Sequence, residues 1–130
     1  MSLPDKTFVF SQPIDNQYIL ELYAGDYVMI GETFTDVLQD YDGFVQKIYS
    51  SYEEEDIQAL KSAVHKIKPL FGFVGLVSIE SQCLQFENAC QSAPFPGLAA
   101  DFTALKNSLI QAKKIIETEK ERLLLYNEQF

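Results

Sequence analysis

The chain has 130 residues, 47% of them hydrophobic and 22% charged, with a net charge of −9. That is enough for one globular core and too little for two ordinary domains. So acidic a surface is repelled by phosphate backbones, which argues against nucleic acid as a partner. No apolar run approaches the roughly 18 residues that span a bilayer, and so no membrane is implied.

The start, Met1 to Lys6, lacks the basic and then apolar layout of a signal peptide, so the expected location is the cytoplasm. Residues 1–14, with Phe8, Val9, Phe10 and Pro13, show no helical period. They are expected to run extended across the surface, as a segment separate from the domain of residues 15–130. Asp15 and Asn16 can cap a short lid helix through Ile19, Leu20, Leu22 and Tyr23, which Gly25 ends and Asp26 restarts. From Tyr27 onward Ile30, Phe34, Val37, Tyr41, Phe44 and Ile48 alternate steps of three and four without a phase break. This predicts one long helix, with Gly43 as the place where it could bend.

The acids Glu53, Glu54, Glu55 and Asp56 mark a turn and the start of the next helix, where negative charge suits the helix dipole. That helix, predicted over residues 56–73, carries its apolar stripe on Ile57, Leu60, Val64, Ile67, Phe71 and Val74. His65, the only histidine, falls off the stripe. At about 100° per residue it shares one side of the helix with Lys61, Lys68, Pro69 and Gly72. Pro69 cannot donate a backbone hydrogen bond, so the His65 carbonyl loses its usual partner and the last turn is expected to bend or loosen. Gly72 and Gly75 permit a tight exit.

A third bundle helix opens at Leu76 with the register Leu76, Ile79, Cys83, Phe86, Cys90. Seven residues at about 1.5 Å each put the two cysteines about 10 Å apart, too far for a disulfide, so both read as core thiols. Residues 92–97, with two prolines and a glycine, form the clearest loop. The last helix carries Leu98, Phe102, Leu105, Leu109, Ala112 and Ile116, and its end from residue 120 to 130 is expected to fray. The fold class is therefore all-α: an antiparallel up-and-down four-helix bundle with a short N-terminal lid helix.

Charge is unevenly spread. Residues 1–56 hold 12 acids and 2 bases, whereas residues 57–130 hold 7 acids and 8 bases. From Ile57 to Gly75 there are three lysines and no carboxylate, a patch suited to an anionic group brought by a partner. One histidine cannot supply the Glu-x-x-His pairs of a di-iron bundle, and His65, Cys83 and Cys90 do not converge on zinc, so no metal site is expected. Glycine-rich phosphate loops, kinase motifs and serine triads are absent from the sequence.

The run His65, Lys68, Pro69, Gly72, Gly75, followed by a helix containing Gln82, Cys83, Leu84, Gln85, Phe86 and Glu87, resembles the histidine-containing phosphotransfer (HPt) domain. That family is a four-helix bundle with a signature of His, two residues, Lys, Gly and a second Gly further on. Proline at position 69 departs from the usual glycine. The resemblance covers about residues 15–125. It implies a phosphohistidine carrier without autokinase activity in a two-component multistep phosphorelay. His65 would attack through Nε2 and Lys68 would clamp the phosphoryl charge. The partner would be a receiver domain, of a response regulator or a hybrid histidine kinase, bringing its own Mg²⁺. The chain itself would need no cofactor and act as a monomer.

Lys61, Lys66, Pro69, Gly72 and Gly75 are the expected receiver-docking face, and Gln82 or Gln85 could hydrogen-bond the imidazole. A different class of function stands beside this one. A non-phosphorylated helical adaptor would keep the bundle and lose the chemistry through the Pro69 change.

Overall fold

The computed structural model describes residues 7–129. It contains α1 (Asn16–Leu22), α2 (Tyr27–Glu53), α3 (Ile57–Phe73), α4 (Val77–Ser92) and α5 (Ala99–Gln129), with one 3₁₀ turn, Phe95–Leu98, before α5. The four long helices form a closed ring in which α3 packs on α2 and α4, and α5 packs on both α2 and α4. This is the all-α bundle that the periodicity predicts. No helix among the described residues is long and apolar enough to cross a membrane.

Local chemistry sets the helix ends. Asp15, Asp26 and Asp56 are the N-caps of α1, α2 and α3, and their side chains accept from the backbone N–H of Tyr18, Met29 and Ala59 respectively. Each satisfies a donor that the first helical turn would otherwise leave open. Of the acid run before α3, only Asp56 caps that helix, while Glu54 is the C-cap of α2. Glu55 lies in the turn with φ +55°, closing α2 by donating its N–H to the Tyr52 carbonyl.

The exit from α3 uses the same geometry with a better residue. Gly75 has φ +76°, its N–H reaches the Gly72 carbonyl, and Leu76 N–H reaches the Phe71 carbonyl at 2.8 Å. These are the paired bonds of a Schellman cap. The α3 helix continues through Pro69 to Phe73, where the Tyr23 hydroxyl donates to the Phe73 carbonyl and ties the lid helix to the end of α3.

The predicted stripes fill the core. Ile30, Phe34, Val37, Tyr41 and Ile48 of α2 are buried against Leu60, Val64, Ile67 and Phe71 of α3, with Phe44 half-buried. The Tyr41 hydroxyl crosses the core to the Leu109 carbonyl at 2.6 Å. Helix α2 runs unbroken through Gly43.

Two expectations about the chain ends need correction. Residues 7–14 enter the core rather than cross its surface. Phe8 and Phe10 are buried with Val9 exposed between them, the alternation of extended backbone, and Ile14 is buried too. The part of that expectation falling on residues 1–6 lies outside the described residues. The end of α5 does not fray before residue 129, because Leu123 is buried, Tyr126 packs edge-on against Phe8 and Tyr27, and the Asn127 amide donates to the Tyr27 carbonyl. The expectation for Phe130 lies outside the described residues.

Buried Glu119 joins these two ends. It accepts from the Ser11 N–H at 2.5 Å and from Arg122, whose guanidinium also stacks over the Phe8 ring and donates to the Val9 carbonyl.

Candidate functional site

His65 stands off the apolar stripe on the outer side of α3, with its side chain 69% exposed. The side of α4 that meets it carries Cys83, Glu87 and Cys90. Both cysteines are buried, and Glu87 shares their register with its side chain only 7% exposed. A buried carboxylate needs partners. It finds two on α3: Oε1 lies 2.7 Å from His65 Nδ1, and Lys68 Nζ donates to Oε2 at 2.7 Å.

Those contacts assign the ring's tautomer. Lys68 Nζ also lies 3.5 Å from Nδ1, but this is long for a hydrogen bond. The carboxylate can only accept, so at 2.7 Å Nδ1 must be the donor. In the neutral ring the free lone pair is then on Nε2, at the edge turned from Glu87. Lys68, 21% exposed at its side chain, serves as the electrostatic partner of Glu87.

The remaining sequence-predicted residues fall into three groups. Lys66 and Pro69 are exposed beside His65, and Lys61 is half-buried one turn before it. Gly72 and Gly75 are buried, so neither presents open backbone on the docking face. A Cβ on Gly72 would come 2.5 Å from Glu80 Oε2, which means that a carboxylate of α4 covers that position. A Cβ on Gly75 would come 3.0 Å from Ile14, in a backbone conformation that disfavours any side chain, so this glycine closes the helix against the N-terminal segment.

Gln82 and Gln85 are not the imidazole's partners. They lie about 140° and 160° around α4 from Glu87 at 100° per residue, and they line a hollow facing Asp101 and Ala104 of α5.

Beside the ring is an open hollow of about 340 Å³ lined by Gln58, Lys61, Ser62, His65 and Glu87. A larger hollow of about 430 Å³ lies between α2 and α5, among Val28, Gly31 and Leu124. Its lining has no nucleophile paired with a base, so the smaller one is the candidate site. The thiols do not compete as nucleophiles. Burial pushes Cys83 up to about 12, with the Glu87 charge adding and Lys68 opposing, and burial also raises Cys90.

Sequence reasoning missed Glu87 as the residue that orients the histidine. The usable signal was its place among Cys83, Phe86 and Cys90. An acid inside an apolar register requires a donor on the helix it faces, and α3 offers one histidine and one lysine there.

Comparison with known proteins gives a family and no individual relative. No curated protein and no solved structure matches the chain at a significant level. A family model described as the Hpt domain matches residues 32–115, well over half of the chain and including the whole of α3 and α4. With an exposed imidazole oriented by an internal carboxylate on an all-helical bundle, the chain belongs to the Hpt domain family, whose members are phosphoryl carriers rather than enzymes.

Proposed function

We propose that this chain is a cytoplasmic phosphohistidine carrier that exchanges a phosphoryl group between His65 and the phosphoaspartate of a receiver domain. The observation that carries this reading is the 2.7 Å contact between Nδ1 and Glu87 on a ring that is otherwise open. It supplies an oriented nucleophile whose reactive nitrogen a partner can approach to within about 3 to 3.5 Å.

In the forward step the Nε2 lone pair forms a bond to phosphorus while the bond from phosphorus to the aspartyl oxygen breaks, and the carboxylate leaves with that electron pair. No proton need move. The ring keeps its Nδ1 hydrogen and gains positive charge, which Glu87 balances, so the product can pass its phosphoryl group on by the reverse of the same step. Lys68 holds Glu87 in place. Lys61, Lys66 and Pro69 are left as the candidate receiver-facing residues.

Mg²⁺ held by the receiver would offset charge on the phosphoryl oxygens. Among the described residues of this chain no group of three or more His, Cys, Asp or Glu could hold a metal ion.

The test is to incubate the purified chain with phosphorylated receiver domains. Acid-labile, alkali-stable phosphate on this chain is the expected result. Failure of several receivers to label it would favour the helical adaptor.

A further inference from the structure

We infer that the phosphoryl group on His65 is held in the hollow on the N-terminal side of the ring, with Lys61 as its main charge partner, while Lys68 is committed to Glu87. This rests on His65 as the phosphoacceptor and assigns the contacts within that site.

Side-chain direction comes first. In an α-helix each Cα–Cβ bond tilts toward the N-terminus, so the His65 ring leans over the turn that holds Lys61 and Ser62 rather than the turn that holds Lys68. The hollow bounded by Gln58, Lys61, Ser62 and Glu87 lies on that side. Lys68 leans the same way, which is why its ammonium ends 2.7 Å from Glu87 and 3.5 Å from Nδ1. To reach a phosphoryl group on Nε2 it would have to leave a carboxylate that is only 7% exposed, and an unpaired buried charge is costly.

Lys61 carries no such commitment. It is half-buried beside the ring and forms no ion pair with any described residue. A phosphoryl group presents three acceptor oxygens. The hollow offers an ammonium, the Ser62 hydroxyl and the Gln58 amide as donors. Its one anion, Glu87, has both oxygens engaged.

The experiment labels the folded protein with phosphoramidate, whose P–N bond breaks as Nε2 bonds phosphorus and ammonia leaves. Peptide mapping should place the phosphate on His65. The phosphoryl ionisation is then followed by ³¹P NMR between pH 5 and 9. A neighbouring cation favours the dianion, so its removal raises the pH of ionisation. Lys61→Ala should raise it by about 0.7 unit or more, the effect of one charge about 4 Å away under full water screening. Lys61→Arg should restore most of the shift, which a merely structural role would not require.

The double variant Lys68→Met/Glu87→Gln removes the inner ion pair as a unit and should move the ionisation less. A shift with Lys61→Ala no larger than with the double variant overturns the assignment. Phosphate on another residue, or none, overturns it together with the phosphoacceptor reading. Because phosphoramidate needs no receiver, failure of every receiver to transfer, with the Lys61 shift present, would overturn the relay alone.

Discussion

Glutamine at position 87 would keep the shape of the side chain and an oxygen for Nδ1, but would remove the charge and set an amide donor where Oε2 accepts from Lys68. A hydrogen bond to a charged group contributes about 1.5–3 kcal/mol and a neutral one about 0.5–1.5, so the Nδ1 contact loses about 1 kcal/mol and the Lys68 contact is lost whole before screening. The imidazole is 69% exposed and Lys68 21%, which reduces the sum to roughly 1.5–2.5 kcal/mol of stability and a melting temperature lower by about 5–10 °C. Transfer should suffer separately. The phosphorylated ring is more positive than the free ring, and losing about 1 kcal/mol of stabilisation there slows labelling by about fivefold.

Glu87→Ala should go further, because Nδ1 then has no protein acceptor and the ring proton is free to move to Nε2. Long-range ¹H–¹⁵N NMR of the ring reads the tautomer directly. The wild type should show Nδ1–H and Glu87→Ala a mixture. A pure Nδ1–H ring in Glu87→Ala, with labelling at the wild-type rate, would refute this reasoning.

The two helix exits with left-handed residues should respond oppositely. Gly75→Ala should destabilise by about 1–2 kcal/mol, through its φ of +76° and the contact with Ile14, whereas Glu55→Gly at φ +55° should stabilise by about 0.5–1 kcal/mol in urea unfolding. Glu119→Ala leaves the Ser11 N–H and Arg122 without their acceptor, and should cost about 2–3 kcal/mol while exposing residues 7–13 to limited proteolysis. The raised ionisations of Cys83 and Tyr41 give a signed pH effect. Both groups are held protonated by burial, so their contribution is full below the ordinary thiol value of 9.0 and is lost as pH rises through about 12 for Cys83. Alkaline titration of unfolding free energy should therefore fall above about pH 9, less steeply in Tyr41→Phe, and iodoacetamide should modify Cys83 slowly in the native protein and rapidly in denaturant.

The helices were legible because each buries one stripe, and a stripe of Ile57, Leu60, Val64, Ile67 and Phe71 needs no knowledge of its neighbour to be read. The caps at Asp15, Asp26 and Asp56 are equally local. What could not be read is what depends on two segments at once. Gly72 looked open on a lone helix and is covered by Glu80 of α4. Gly75 looked like a docking residue and is a helix exit packed on Ile14. Phe8 and Phe10 follow a two-residue period that is too short to call without the α5 surface and Glu119–Arg122 waiting for them. His65 could be singled out as the candidate from its own helix, and the carboxylate bonded to it could not, because helical periodicity does not say which residue of α4 faces His65.

The most direct measurement is transfer from a phosphorylated receiver domain to wild-type protein and to His65→Gln, read by intact mass with circular dichroism on the same samples. The account predicts a single added phosphoryl group on the wild type and none on His65→Gln. Helicity should be unchanged and stability lowered by no more than about 1–2 kcal/mol, since the ring is exposed and off the core and Lys68 still pairs with the Glu87 that loses the Nδ1 donor. A phosphoryl group still carried by folded His65→Gln, or its absence from wild type with every receiver tried, would contradict it.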